Sequence, residues 1–480
     1  MATTVQRGRM FIGGEWTDGA GDELQPVLNP STGEVIAEVP KGTEEDVDRA
    51  VRAARKAFED GWWESTPRER MEMILKLADA IEANADEFAD IEAHNVGKPL
   101  GVTKSEEVPG IVDNLRFFAG GARFMEGKAS GEYMKGYTSM IRREPVGVVG
   151  SIAPWNYPLW MAVWKFGPAL AAGNTVVLKP SEWTPLSALR MAELAADIVP
   201  PGVLNVITGD GEPVGAGLVR HPGVDMVSLT GDVATGKEVA KAAADTLKRV
   251  HLELGGKAPV LVFDDADLDS VVEWIKVGGF FNSGQDCTAA TRVIAGPGIY
   301  ENLLSNLVPA VESIKVTDIE SEGAEMGSLV SSEQLDRVRG FVDRAREGGA
   351  RVLTGGSPLD RPGYWYAPTV VTDLGQDAEI VQREVFGPVV TVQRFADDDE
   401  AIAWANGVRY GLAASVFTTN VGRALNAARK LRFGTVWINC HIVLVSEMPH
   451  GGYRGSGYGK DLSMYSIEEY TNIKHVMAAL

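Results

Sequence analysis

Three side chains in this chain of 480 residues have the types and settings for covalent chemistry. Cys287 lies in Asn282-Ser283-Gly284-Gln285-Asp286-Cys287-Thr288, where small and polar neighbours suit a turn that presents a thiol. A free thiol is only slightly ionised near neutrality but is still strongly nucleophilic. On the thiol alone, a buried structural cysteine is the plainer reading, and Asp286 beside it disfavours the thiolate. Glu253 lies in His251-Leu252-Glu253-Leu254-Gly255-Gly256-Lys257, a single acid between leucines. An apolar setting can raise a carboxyl pKa and suit it to general-base work; a strand-end acid facing water fits equally well. Asn156 lies in Pro154-Trp155-Asn156-Tyr157-Pro158, where two prolines fix the loop. A rigidly held amide there can donate to a developing oxyanion, or serve as an ordinary turn asparagine.

A second group of residues suits a dinucleotide. Gly209-Asp210-Gly211, with Gly215 after it, and the stretch from Gly231 to Gly236 each follow an apolar run. Glycines there let backbone amides and a helix N-terminus approach phosphate, although neither cluster is a clean G-x-G-x-x-G. Lys179-Pro180-Ser181-Glu182 also follows a strand-like run. A glutamate at such a strand end can bind both ribose hydroxyls and repel a 2′-phosphate, or be a helix N-terminal acid without function.

These residues need a scaffold, and the hydrophobic pattern predicts one. Residues 43–91 read as helical: Thr43 is a candidate N-cap, and Val47, Ala50, Val51, Ala54 and Phe58 recur at helical spacing. A second amphipathic run starts near Pro67. From 146 onward, short apolar runs at 146–153, 175–178, 203–208 and 226–230 alternate with helix-length segments at 185–198 and 235–247. This is the signature of βαβ units and a parallel sheet. A further alternation gives strands at 259–263, 289–295, 351–354, 389–395, 414–417 and 434–439, with helices at 335–347 and 421–430. The apolar stretch 157–173 carries Lys165 and two prolines, and reads as a buried helix rather than a membrane span.

Composition narrows the function. The net charge of −20 disfavours nucleic-acid and anionic-membrane partners and mildly favours a cationic substrate. Two cysteines in so long a chain argue against a disulfide framework and for a reducing, cytoplasmic setting, and no signal peptide is visible. The few scattered cysteines and histidines show no metal-ligand spacing, so no metal is expected.

Taken together, Asn156, Lys179, Glu182, Gly231 with Gly236, Glu253, Cys287, Glu384-Val385-Phe386-Gly387-Pro388 and Asn439 follow the order seen in the aldehyde dehydrogenase superfamily, which the chain resembles over nearly its whole length. The 34-residue step from Glu253 to Cys287 is similar too. The motif around Cys287, Ser446-Glu447-Met448-Pro449-His450-Gly451-Gly452, and Gly455-Ser456-Gly457-Tyr458-Gly459-Lys460-Asp461 resemble gamma-aminobutyraldehyde dehydrogenases, which implies a place in putrescine degradation. The resemblance implies an α/β fold with a Rossmann-type NAD-binding domain (1–126 and 145–253), an α/β catalytic domain (254–455) and a small β oligomerisation element (127–144 and 456–480). Residues 130–144 and 470–477 read as extended and able to pair, implying a homodimer or homotetramer.

The resemblance also implies roles. Cys287 attacks the aldehyde carbon, Asn156 and the Cys287 amide hold the oxyanion, and Glu253 activates the hydrolytic water. The cofactor is NAD, met by Trp155, Lys179, Ser181, Glu182, Gly211, Gly215, Thr230, Gly231, Asp232, Gly236, Leu254, Glu384 and Phe386. Most members carry serine where this chain has Asp232, and a carboxylate beside pyrophosphate is costly unless it turns away or caps the helix. On the substrate side, Tyr157, Trp160 and Trp164 can form an aromatic wall for an alkylammonium tail, or be plain core. Asp286, Thr288 and His450 are assigned to the same pocket, and Asp113 is preferred over Glu106 and Glu107 as partner of the amine. The expected reaction is oxidation of 4-aminobutanal to 4-aminobutanoate. The alternatives are betaine aldehyde or general aliphatic aldehydes, a coenzyme A-acylating relative, and a catalytically idle protein on the same scaffold.

Overall fold

The computed structural model describes residues 6–127 and 129–480. Residues 1–5 of the expected cofactor domain, and residue 128 of the expected oligomerisation element, lie outside them. The expected helical run 43–91 resolves into Glu44–Glu59, Pro67–Ala83 and Ala85–Val96. Thr43 caps the first through a reciprocal box with Asp46, and Thr66 caps the second with Glu69, with Pro67 in the first turn.

An eight-stranded sheet carries the first set of motifs. Its order is Gly457–Tyr458, Arg249–Leu254, Met226–Gly231, Val148–Ile152, Thr175–Lys179, Leu204–Val206, Met10–Ile12 and Glu15–Thr17. The five strands from Arg249–Leu254 to Leu204–Val206 are parallel. The chain builds outward from Val148–Ile152 in one direction, then returns to add Met226–Gly231 on its other side. That reversal leaves a crevice at the carboxyl ends of these two strands, the usual ligand position in an open α/β sheet. The two N-terminal strands of this sheet, and a separate sheet of Gln6–Arg7, Glu34–Pro40 and Leu24–Asn29, were not anticipated from sequence.

The second sheet has seven strands, ordered Arg351–Thr354, Thr369–Thr372, Val389–Arg394, Arg292–Ala295, Pro259–Val262, Ala413–Phe417 and Thr435–Ile438. All pairs are parallel except the one made by Arg351–Thr354. One hydrophobic core runs through both sheets, joining Leu252 and Leu254 to Leu261, Phe263, Ala414 and Val416. It holds the Glu253 strand end and the domain bearing Cys287 in fixed relation.

The expected pairing of the two extended segments is present. Thr471–Ala479 runs antiparallel to Tyr137–Pro145 over nine residue pairs, and Gly131–Met134, joined to Tyr137–Pro145 by a turn at Gly136, adds a third strand. The start of the C-terminal segment differs from expectation. Gly457–Tyr458 pairs with Arg249–Leu254 in the large sheet, and helix Ser463–Glu469 packs against the buried helix Pro158–Ala171. Gly457–Tyr458 is thus an edge strand of the first sheet. A two-residue strand is too short to carry a periodic signal.

Candidate active site

Glu253 occupies the penultimate position of its strand, opposite Thr230 on one side and Gly457 on the other. It is 1% exposed, and neither carboxylate oxygen has a hydrogen-bond partner among the described residues. His450 is as deeply buried, with both ring nitrogens unpartnered and Nε2 3.5 Å from Glu253 Oε1. Backbone bonds in both directions between His450 and Asp461 fix its position, and the Trp164 ring packs 5.2 Å from the imidazole. The Cys287 sulphur completes the group: sulphur, carboxylate and imidazole donors lie within 4.8 Å of one another.

Cys287 follows helix Leu268–Phe280 through a tight turn in which Asn282, Ser283 and Gly284 all have positive φ. Two of these carry side chains, so the turn stores strain that its surroundings must hold. Asn282 Nδ2 donates to the carbonyls of Asn156 (2.9 Å) and Gln285 (3.2 Å), Ser283 Oγ donates to Gly327, and Gln285 Oε1 accepts from Val330. Gly284 is required there, since a Cβ would sit 2.2 Å from the Gly387 carbonyl. Asn156 also binds this turn: its Nδ2 donates to the Gln285 carbonyl at 3.0 Å, which places the amide beside the loop of Cys287. His441 Nε2 meets the Thr288 carbonyl at 2.7 Å. The loop is thus pinned on both sides of Cys287, while Cys287 itself keeps partial exposure. Burial raises the thiol pKa well above its usual range, and Glu253, Asp286 and Glu384 raise it further.

The expected substrate residues form a connected wall. The Tyr157 hydroxyl donates to Asp286 Oδ2 at 2.7 Å, and Asp286 Oδ1 accepts from the Thr288 amide and hydroxyl, each at 2.6 Å. Burial, then the Asp286 charge, hold the Tyr157 phenol well above its usual pKa. Lys98 Nζ lies 4.3 Å over the Tyr157 ring and pairs with Glu107 at 2.6 Å. Glu107 therefore faces inward as part of a buried ion cluster, its carboxyl pushed up to about 7 by burial, rather than offering a solvated face. Trp160 and Trp164 both donate their indole N–H to Asn114 Oδ1 at 2.7 Å. Asp113 is exposed and accepts the Ser446 hydroxyl, which in turn accepts from Asn114.

The residues expected to meet the cofactor lie at or near the carboxyl ends of the parallel strands, or in the loops around them. Lys179 is 2% exposed and its amine reaches Glu182 Oε2 at 3.1 Å, while Ser181 Oγ accepts from the Trp183 amide. Gly215 lies against the Lys179 stem, and Gly211 is open to solvent. The Thr230 hydroxyl is buried without a partner. Asp232 caps helix Val233–Ala244, accepting from the Ala234 amide at 2.6 Å, which is the resolution its charge requires. A cavity of ≈ 420 Å³ opens beside it, lined by Lys237, Arg337, Arg383 and Arg409. Gly236 serves packing, because a Cβ would meet Leu254 at 2.6 Å. Glu384 accepts from the Gly256 amide at 2.8 Å, and burial pushes its carboxyl up to about 8. Phe386, at φ +61°, meets Trp155 edge to face at 5.1 Å, and Trp155 also packs on Trp183. A buried amine, an exposed-side carboxylate, a helix N-terminus and a basic cavity fit a dinucleotide with two ribose diols and a pyrophosphate.

Among the contributors missed from sequence are Asn114, Gln285, His441, Lys98 over the Tyr157 ring, and the buried pair Lys165–Asp461 at 2.9 Å. Asn114 was detectable. It lies three residues after Ile111 and four before Phe118, on the core face of helix Val108–Gly121.

Residues 16–476 match the model of the Aldehyde dehydrogenase family. An aldehyde dehydrogenase of Agaricus bisporus is 42% identical over 478 residues, covering 99% of this chain and 95% of that protein. One of Emericella nidulans is 44% identical over 469 residues, covering 97% and 94%. Among solved structures, the NAD+ complex of an aldehyde dehydrogenase from Bacillus cereus superposes with a TM-score of 0.97 at 42% identity, covering 99% of this chain and 97% of that one. Betaine aldehyde dehydrogenase from Staphylococcus aureus in complex with NAD+ gives 0.97 at 40%, covering 98% and 95%. With a thiol, a buried carboxylate and an amide donor meeting where the two sheets join, and with relatives aligned over nearly their full length, the chain belongs to the aldehyde dehydrogenase family.

Proposed function

We propose that this enzyme oxidises an amine-bearing aldehyde, 4-aminobutanal, to the acid with NAD. The observation that carries the substrate reading is Asp286. It is a buried carboxylate one residue before the nucleophile, held by Tyr157 and Thr288 on a wall of aromatic rings. A negative charge framed by rings attracts an alkylammonium group by Coulomb and cation–π forces together.

In the proposed reaction, Cys287 adds to the aldehyde carbon after its proton passes to Glu253. The Asn156 amide and the Cys287 backbone N–H stabilise the oxyanion, by an effect worth about 3 kcal/mol per donor. NAD, when bound, supplies the hydride acceptor. Lys179 and Glu182 hold the adenosine ribose, and the carboxylate of Glu182 repels a 2′-phosphate. Glu384 holds the nicotinamide ribose, with Phe386 and Trp155 packed beside that ring. Glu253 then takes a proton from the water that hydrolyses the thioester.

The exposed three-stranded sheet, with Tyr133, Met134, Ile473 and Met477 on its surface, supports assembly into a homodimer or homotetramer by sheet extension. No helix among the described residues is long and apolar enough to cross a membrane. Two unpaired cysteines support a reducing, cytoplasmic location.

Betaine aldehyde is the competing substrate, since it too carries a cation and is named for one of the structural relatives. The test is NADH formation with 4-aminobutanal, 3-aminopropanal, betaine aldehyde, succinic semialdehyde and hexanal. The highest kcat/KM is expected for 4-aminobutanal. Equal values for hexanal would overturn the amine reading, and a preference for betaine aldehyde would replace it. Full activity in Cys287→Ala would overturn the mechanism.

A further inference from the structure

The nucleophile, the base and His450 form a set that the proposed oxidation does not fully use. His450 and Glu253 are each about 1% exposed, and none of their four polar side-chain atoms has a hydrogen-bond partner among the described residues. Burying polar groups unsatisfied is costly, so such a cluster favours any ligand that satisfies it. The three donors are a thiol sulphur, a carboxylate oxygen and an imidazole nitrogen, which are the ligand types of zinc. They lie within 4.8 Å of one another, with the carboxylate–imidazole pair at 3.5 Å. Donors around a four-coordinate zinc, at about 2.0–2.3 Å from the metal, are about 3.3–3.7 Å apart. The Glu253–His450 pair already has that spacing, and rotation of the Cys287 side chain brings in the sulphur. Asp286 and Glu384 add negative charge near the sulphur.

We propose that Cys287, Glu253 and His450 form a binding site for a thiophilic divalent cation of the zinc class, and that occupancy switches the enzyme off reversibly. On binding, the thiol proton leaves to solvent and three bonds form, from sulphur, carboxylate oxygen and imidazole nitrogen to the metal, with water as the fourth ligand. No electron is transferred. Nucleophile and base are sequestered together, so neither addition nor hydrolysis proceeds. A hard cation such as Mg²⁺ gains little from sulphur and nitrogen and is not expected to bind.

A second three-ligand group, Asp90, His94 and Glu320, is more open to solvent and provides the internal control. The experiment is calorimetric titration of the purified full-length enzyme with Zn²⁺ in the absence of aldehyde, with NADH formation measured in parallel. Its outcome is therefore independent of which aldehyde is preferred. Expected are one inhibitory Zn²⁺ per chain, proton release on binding, full recovery with a chelator, and no effect of Mg²⁺. His450→Phe should weaken Zn²⁺ inhibition of its own residual activity by at least about tenfold, and His94→Ala should leave it unchanged. If His450→Phe does not fold, His450→Gln and the Co²⁺–thiolate absorption of the wild-type enzyme, lost in Cys287→Ala, provide the same test. Unchanged inhibition in both His450 variants, inhibition that follows His94, or absence of a Co²⁺–thiolate band would overturn the proposal.

Discussion

Replacing Gly256 with alanine puts a Cβ 2.2 Å from the carbonyl oxygen of Cys287 and 3.3 Å from Leu412. Carbon–oxygen contact is comfortable beyond about 3.4 Å, so something must move by about 1 Å. The obstructing atom is backbone, and its loop cannot yield cheaply: Asn156 and Asn282 hold the Gln285 carbonyl, and His441 holds that of Thr288. The displacement therefore falls on Cys287, the nucleophile of the proposed reaction. A misplacement of about 1 Å in a reacting group costs about a hundredfold in rate, or about 2.7 kcal/mol of activation free energy. Gly255 provides the contrast. A Cβ there meets Glu384 Oε2 at 2.1 Å, the end of a side chain that can swing away. Gly255→Ala should therefore release Glu384 from the Gly256 amide and raise KM for NAD with kcat little changed. Gly256→Ala should lower kcat about a hundredfold with KM for NAD little changed. The assay is steady-state NADH formation over a grid of NAD and aldehyde concentrations, with urea midpoints to verify that both variants are folded. Wild-type kcat in Gly256→Ala, or the same kinetic profile in both variants, would refute the reasoning.

Glu253→Gln should slow the single-turnover burst of NADH as well as steady-state turnover, the latter by about 10²–10⁴-fold, as rapid-quench measurements will reveal; a burst at the wild-type rate would confine Glu253 to the hydrolytic half-reaction and refute its part in activating the thiol. The same variant removes one of the charges that raise the Cys287 pKa, so alkylation of Cys287 by iodoacetamide at pH 7 should be faster than in wild type, and a slower rate would contradict that. Asp232→Ser should keep the helix cap and tighten NAD in a fluorescence titration, whereas Asp232→Ala should cost about 1 kcal/mol of stability. Burial lowers His251 and His441 to about 4 from 6.5, so their neutral forms contribute stability that is complete above pH 6.5 and lost as pH falls toward 4. Each is worth about 3 kcal/mol, and His441→Gln should flatten the fall in urea midpoint between pH 7 and 5.

What was legible in the sequence was mostly local. The parallel strands of the first sheet are continuous apolar runs because both faces are covered, and their spacing by helices is enough to place Lys179, Thr230 and Glu253 at strand ends. Thr43 and Asp46 form a capping box that can be read from two residue types. Long-range polar pairing is different. Lys165 is visible as a charge in an apolar stretch, but its partner Asp461 is 296 positions away. The left-handed conformations at Asn282 and Ser283 carry no glycine signal, because tertiary bonds from Asn282 and Ser283 impose them. Asp113 was preferred over Glu106 and Glu107 for its place on the helix that the resemblance sets at the channel mouth, but the phase of the buried Ile111, Leu115 and Phe118 turns the neighbouring Asn114, not Asp113, toward the indoles.

The sequence also left open how Cys287 becomes nucleophilic beside an aspartate. Every named charge acting on the thiol is acidic, and each raises its pKa. Burial and these charges hold the Cys287 thiol toward its neutral form, and in the proposed reaction its activation requires a proton acceptor within reach. Asp286 is a poor candidate, because its two oxygens already accept from Tyr157 and Thr288. Glu253 is a good one: both of its oxygens are unpartnered, and it belongs to the same cluster as the sulphur. A carboxylate bound to neither neighbour can first take the thiol proton and later turn to water, which two fixed hydrogen bonds would prevent. The two acids nearest Cys287 thus divide the work in the proposed reaction by their hydrogen bonding. Asp286, fully engaged, supplies fixed charge for a cationic substrate, and Glu253, disengaged, moves protons.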